Sequence, residues 1–256
     1  MAGLRILVTA LLAAPILALA AGEHVRLDRA PIDEHDLTSL QRGAKIYVNY
    51  CLGCHSAGYM RYNRLEELGL TPQQIRDNLI FTGAKVGDLM KSSMSSKEAK
   101  EWFGAPPPDL TVIARSRASP DGSGADWLYT YLRGFYRDPL RPTGWNNVVY
   151  RDVAMPHVLW QVQGEQELRT VVVEIPQGDE EEVVKHELQK LVLVRPGLMS
   201  PLEYDLFVRD LVNYMAYMAE PAKRTRIELG IYVILFLGVL FVLTYLLKKE
   251  FWKNVN

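Results

Sequence analysis

Only two cysteines occur in this chain of 256 residues, and both lie in one run, Cys51-Leu52-Gly53-Cys54-His55. The Cys-x-x-Cys-His spacing lets two thiols on adjacent turns add to the two vinyl groups of a haem. His55, the next residue, then directs its imidazole at the iron, so the pattern is that of c-type haem attachment. A thioredoxin-like dithiol needs a βαβ context, and none surrounds Tyr50 to Tyr59. A zinc site needs further thiol or imidazole ligands at suitable spacing, and there is no second cysteine pair.

An electron-transfer haem also needs a ligand on its other face. The remaining histidines are His24, His35, His157 and His186; the methionines of the central region are Met60, Met90, Met94, Met155, Met199, Met215 and Met218. Met215 and Met218 fall on a patterned helix and read as core filling. Met60 is too near His55 to cross the ring plane easily, and Met90 and Met94 sit in a polar stretch. Met155, in Val153-Ala154-Met155-Pro156, occupies a proline-pinned loop that can be held rigidly over the ring; His157 is its main competitor. The choice matters. His/Met ligation raises the reduction potential and closes both iron faces, whereas bis-histidine ligation lowers the potential.

The elements that position these residues begin with two apolar segments. Met1 to Ala21 carries Arg5, an apolar run and Ala18-Leu19-Ala20, the layout of a secretory signal peptide cleaved after Ala20. Ile227 to Leu247 is 21 residues long with only Glu228 charged. At ~1.5 Å per residue it spans roughly 31 Å, the thickness of a bilayer core. Four regions are therefore expected: a signal peptide 1–20, an exported haem domain 21–222, a membrane anchor with basic flanks 223–248, and a cytoplasmic tail 249–256. Lys223, Arg224 and Arg226 on one side balance Lys248, Lys249 and Lys253 on the other, so orientation rests on export of the N-terminus. The net charge of −1 argues against a nucleic-acid partner, and residues 22–222 are more acidic, with 22 Lys and Arg against 28 Asp and Glu.

Within the exported part, residues 22–37 read as an extended arm. A helix capped by Thr38 or Ser39 runs to about Tyr50. Thr71-Pro72-Gln73-Gln74, Ser95 with Glu98, and Ser200 with Glu203 are helix starts, the last leading to about Ala219. Asp126 to Tyr136 has an apolar helical face, and Pro106-Pro107-Pro108 forces extended backbone. Residues 139–157 read as a long loop. Leu168 to Ile175 and Gln189 to Arg195 form a strand pair around a solvated acidic turn, Asp179 to Glu182. The expected fold is mainly α, with a small β insertion and one C-terminal transmembrane helix.

These features together resemble cytochrome c1, the haem subunit of the cytochrome bc1 complex. The resemblance rests on Tyr50 to His55, Phe103-Gly104-Ala105-Pro106-Pro107-Pro108-Asp109-Leu110 and Ile113-Ala114-Arg115-Ser116-Arg117. It rests further on Asn146-Asn147-Val148-Val149 leading to Ala154-Met155-Pro156, and on Ala219-Glu220-Pro221 before the span. It implies a cytochrome c-like haem domain in which Cys51 and Cys54 bind one haem c and His55 and Met155 are axial ligands. It also implies that Arg115 pairs with a haem propionate, that Pro108 lies against the haem edge and that Trp127 contacts a propionate. The implied activity is one-electron relay from the Rieske iron–sulfur protein to a soluble or anchored cytochrome c, with no other chemistry asked of the chain. Cytochrome b would be the membrane neighbour, in a dimeric complex of a bacterial inner membrane with the haem domain on the periplasmic side. A haem enzyme such as a peroxidase, or an anchored carrier serving a terminal oxidase, are the alternatives.

Overall fold

The structure is a computed structural model that describes residues 26–176 and 183–254. The expected signal peptide, His24 and the acidic turn Asp179 to Glu182 lie outside the described residues. The extended arm is present from Arg26. It is tied to the body where the Asp28 amide donates to Thr130 Oγ1 at 2.8 Å and the Ala30 amide to Asp126 Oδ1 at 2.7 Å.

Helix α1 (Leu37–Ile46) is capped by Asp36, whose Oδ1 accepts from the Ser39 amide at 3.0 Å. Thr38 and Ser39 are therefore not the cap. The Ser39 hydroxyl is engaged instead, donating to Asp210 Oδ1 at 2.7 Å. The helix then widens into a π-helical turn, Tyr47–Cys51, a departure that recurs at functional sites. Here it delivers Cys51 at the end of a buried helical arm.

The arm packs against α7 (Pro201–Ala219), which starts in the expected Ser200/Glu203 capping box. Gly43 permits the crossing, because a Cβ at that position would lie 2.0 Å from the Asp210 carbonyl oxygen. Asp210 itself is buried. Burial pushes its carboxyl up, but hydrogen bonds from Arg42, Ser39 and Arg209 outweigh that effect and leave it below the ordinary range. A buried carboxylate this well partnered fixes α1 on α7; unpartnered, it would be strongly destabilising.

Between them come β1 (Ala57–Arg61), a 3-10 segment Tyr62–Leu68, α2 (Pro72–Leu79), β2 (Leu89–Met90) and α3 (Ser96–Phe103). Strands β1 and β2 pair antiparallel. Thr71 and Ser95 head α2 and α3 with the capping boxes read from sequence. After the proline run, one turn of helix, α4 (Ile113–Ser116), meets α5 (Gly124–Arg133). Helix α5 is headed by a Ser123/Asp126 capping box, so its first residue, Gly124, comes two before the expected Asp126, and it stops before Phe135. The Tyr204 hydroxyl donates to the Leu132 carbonyl at 2.8 Å, holding α7 against α5.

Residues 139–157 are not wholly loop. Strand β4 (Trp145–Asn147) pairs antiparallel with β3 (Phe135–Arg137), in register Phe135↔Asn147 to Arg137↔Trp145. The short helix α6 (Trp160–Gln163) leads into a hairpin of β5 (Gly164–Pro176) and β6 (Val183–Pro196), longer at both ends than the sequence suggested. Finally α8 (Lys223–Phe251) contains the apolar run Ile227 to Leu247, and none of its residues from Thr225 to Phe251 is buried. An all-round apolar helix with no protein cover needs lipid around it. The architecture is mainly helical with three two-stranded sheets and one membrane span among the described residues.

Candidate functional site

Cys51, Cys54 and His55 open onto a cavity of ≈ 370 Å³, and so does Met155 from a segment one hundred residues further on. Leu128, Leu132, Leu211 and Met215, from α5 and α7, make its wall apolar. Met215 thus faces the cavity besides filling the core.

His55 is held in a defined tautomer. Its Nδ1 lies 2.8 Å from the Pro108 carbonyl oxygen, an acceptor, so Nδ1 carries the proton and Nε2 keeps its lone pair. Pro108 is itself fixed by its neighbours. Asp109 Oδ2 accepts from the Gly58 amide at 2.6 Å, and the Leu110 amide donates to the Ser56 carbonyl at 2.9 Å. The proline run supplies a carbonyl without an amide of its own to satisfy, which suits a backbone lying along a cavity edge. Burial lowers the His55 pKa, opposed by the Pro108 hydrogen bond, so the imidazole is neutral and available as a donor to a metal.

Neither cysteine is in a disulfide. Burial foremost, and Cys54 second, push the Cys51 thiol up to about 12.

Met155 is held from two directions. Asn147, fully buried, donates to the Tyr131 carbonyl at 2.8 Å and accepts from the Val149 amide at 2.9 Å and the Tyr150 amide at 3.3 Å. This anchors the loop to α5. The Tyr131 hydroxyl then donates to Met155 Sδ at 3.4 Å. Burial foremost raises the Tyr131 phenol far beyond its ordinary range, so it remains a donor.

His157 is not on the cavity wall. It is buried in a flat stack on Phe135 (centroids 4.7 Å, interplanar 6°) and edge-on to Trp145 at 5.0 Å. Burial lowers its pKa to about 4, so it is a neutral core residue. Met60 and Met90 are likewise fully buried in the core and do not line the cavity.

Arg115 is exposed and absent from the cavity wall; its charge acts on Glu220. The guanidinium at the cavity belongs to Arg117. On a single turn of helix, positions two apart project in nearly opposite directions. The sequence element was legible, but which of its two arginines turns inward depends on how α4 meets α5. Arg117 lies 4.6 Å over the Trp127 ring, and Trp127 in turn stacks on Tyr131 (centroids 4.7 Å, interplanar 13°). Trp127 thus stands on the wall between the arginine and the tyrosine. Tyr131 and Tyr150 also line the cavity, and sequence reasoning passed over both. The helical pattern placed Tyr131 on an apolar face but carried no sign of its hydroxyl's partner.

Two thiols, a neutral imidazole with its tautomer set, a thioether and a guanidinium thus share one apolar cavity. This set fits a flat apolar macrocycle with a central metal and carboxylate substituents.

The profile of the Cytochrome C1 family matches residues 28–168 and 200–255, leaving most of the β5–β6 hairpin between the two matched stretches. The chain is 51% identical over 253 residues to the "Ammonia monooxygenase gamma subunit" of Nitrosomonas europaea, covering 99% of each. It is 49% identical over 252 residues to the cytochrome c1 of Allochromatium vinosum, covering 98% of each. Against the cytochrome c1 of Rhodospirillum rubrum it is 25% identical over 87% of this chain and 84% of that one.

Proposed function

The chain belongs to the cytochrome c1 family, and on that premise we propose that Cys51 and Cys54 hold its haem through thioethers while His55 and Met155 are the axial ligands. As a member it carries one covalently attached haem c and is a membrane-anchored electron carrier of the bc1 complex, taking single electrons from the Rieske iron–sulfur protein to a cytochrome c.

Haem c supplies the one-electron couple. The chain's own residues supply the rest. His55, its Nδ1 proton held by Pro108, presents Nε2. Met155 offers a polarisable thioether, which favours the reduced state and raises the potential. The apolar wall of α5 and α7 keeps water from the site, which further favours the form with less net charge. Arg117, rather than Arg115, is the fork for a propionate, and Trp127 backs it. The observation that carries this reading is the presence of His55 and Met155 in one apolar cavity while the rival His157 is locked in an aromatic stack.

Arg117→Gln is expected to move the ferrous-to-ferric ratio at fixed solution potential toward ferric by roughly tenfold, since a cation near the haem favours its reduced form. Arg115→Gln is expected to leave the ratio within about twofold of wild type, as befits an exposed charge. A redox titration of both variants separates them; the reverse order would return the role to Arg115.

The finer placement follows from the same reading. The haem domain lies on the periplasmic side of the inner membrane, α8 packs on cytochrome b, and the complex is a dimer. Tagged full-length chain, purified in mild detergent, is expected to bring b-type haem and a Rieske iron–sulfur signal with it. Purification as a c-type haemoprotein free of both would favour the anchored carrier serving a terminal oxidase.

A further inference from the structure

The Tyr131 hydroxyl is held in one place by the packing of its ring and the anchoring of its backbone. Tyr131 lies on α5 with its ring held between two others, stacked on Trp127 and edge-on to Phe135 at 5.1 Å and 68°. Its carbonyl is tied to the fully buried Asn147, the residue that also accepts from the amides of Val149 and Tyr150. Ring and backbone are therefore both fixed, and the remaining freedom, rotation of the O–H, is directed at Met155 Sδ, 3.4 Å away. A thioether sulfur has two lone pairs. One can bind a metal while the other accepts from a hydroxyl.

We propose that Tyr131 is a positioning residue for the axial thioether, setting both where Met155 Sδ points and how strongly it donates; this rests on the reading of Met155 as a ligand. The hydrogen bond withdraws electron density from sulfur. A poorer sulfur donor stabilises ferric iron less than ferrous iron, so the hydroxyl raises the potential of the site. The Trp127 stack extends the same scaffold to Arg117, so the groups at the cavity rim and at the axial position share one rigid support.

The test compares Tyr131→Phe with wild type and Met155→Leu, all as full-length haem-loaded protein in detergent. Phenylalanine keeps the stack and the edge contact and removes only the hydroxyl. Tyr131→Phe is expected to retain the near-infrared sulfur–iron charge-transfer band and to shift the ferrous-to-ferric ratio at fixed solution potential toward ferric by about fivefold, the equivalent of one ordinary hydrogen bond. A retained band with an unchanged ratio, or a shift toward ferrous, would overturn the proposal, because packing alone leaves the electron density on sulfur untouched. Failure of the underlying reading is seen separately: Met155→Leu would then keep the band.

Discussion

Leucine in place of Met155 is expected to stop electron delivery from quinol to cytochrome c. Leucine matches methionine in volume and leaves the packing of Val153 to Pro156 nearly unchanged. It has no lone pair. The iron would then lose the ligand that favours its reduced form, and its potential would fall. For a one-electron carrier each 59 mV of lowered potential shifts the equilibrium about tenfold. A fall of about 120 mV would therefore make delivery into the haem roughly 100-fold less favourable. Quinol-driven reduction of cytochrome c by the purified complex is the measurement, and a loss of two orders of magnitude is expected. His157→Phe, which keeps the stack on Phe135 and Trp145, is expected to stay within about threefold of wild type. The opposite pattern would make His157 the ligand.

The second large effect concerns the thiols. With Cys51 and Cys54 both replaced by serine, no covalent attachment is possible, and haem staining on a denaturing gel is expected to vanish. The fold suffers as well. A partly open apolar cavity of ≈ 370 Å³ left without its occupant exposes Leu128, Leu132, Leu211 and Met215 to water, at up to ~2 kcal/mol for each side chain. Since a domain's whole stability is about 5–15 kcal/mol, the unfilled chain is expected not to accumulate in the membrane. Quantitative immunoblotting of membranes checks this, and wild-type levels of haem-free double variant would contradict it. The pocket's polar members would then be sufficient to hold the empty site open.

The difference between what was legible and what was not follows from the range of the interactions concerned. Cys51 to His55 is a contiguous motif, and the capping boxes at Thr71, Ser95 and Ser200 are satisfied within four residues, so both could be read directly. The α1 cap was misplaced because Thr38 and Ser39 are as suitable by type as Asp36. Tertiary demand decided it, since Ser39 is needed by Asp210 across 171 positions. Strands β3 and β4 are three residues each, too short to show alternation, and Asn147 joins them to α5 through a contact no local pattern announces. Arg115 and Arg117 are equivalent by composition, and only the packing of a one-turn helix distinguishes them. Tyr131 has the same difficulty: an aromatic on an apolar helical face is ordinarily core, and its partner lies 24 residues away on a loop.

His55 and Met155, as proposed, would close both faces of the iron and confine the site to electron transfer. The most direct test of this closure is the visible and near-infrared spectrum of wild type and Met155→Leu, with carbon monoxide added to each reduced sample. Wild type is expected to show the sulfur–iron band and to ignore the gas, while the variant loses the band and binds carbon monoxide. Ready binding of carbon monoxide by reduced wild type would contradict the closed site and favour a haem enzyme with an open sixth position.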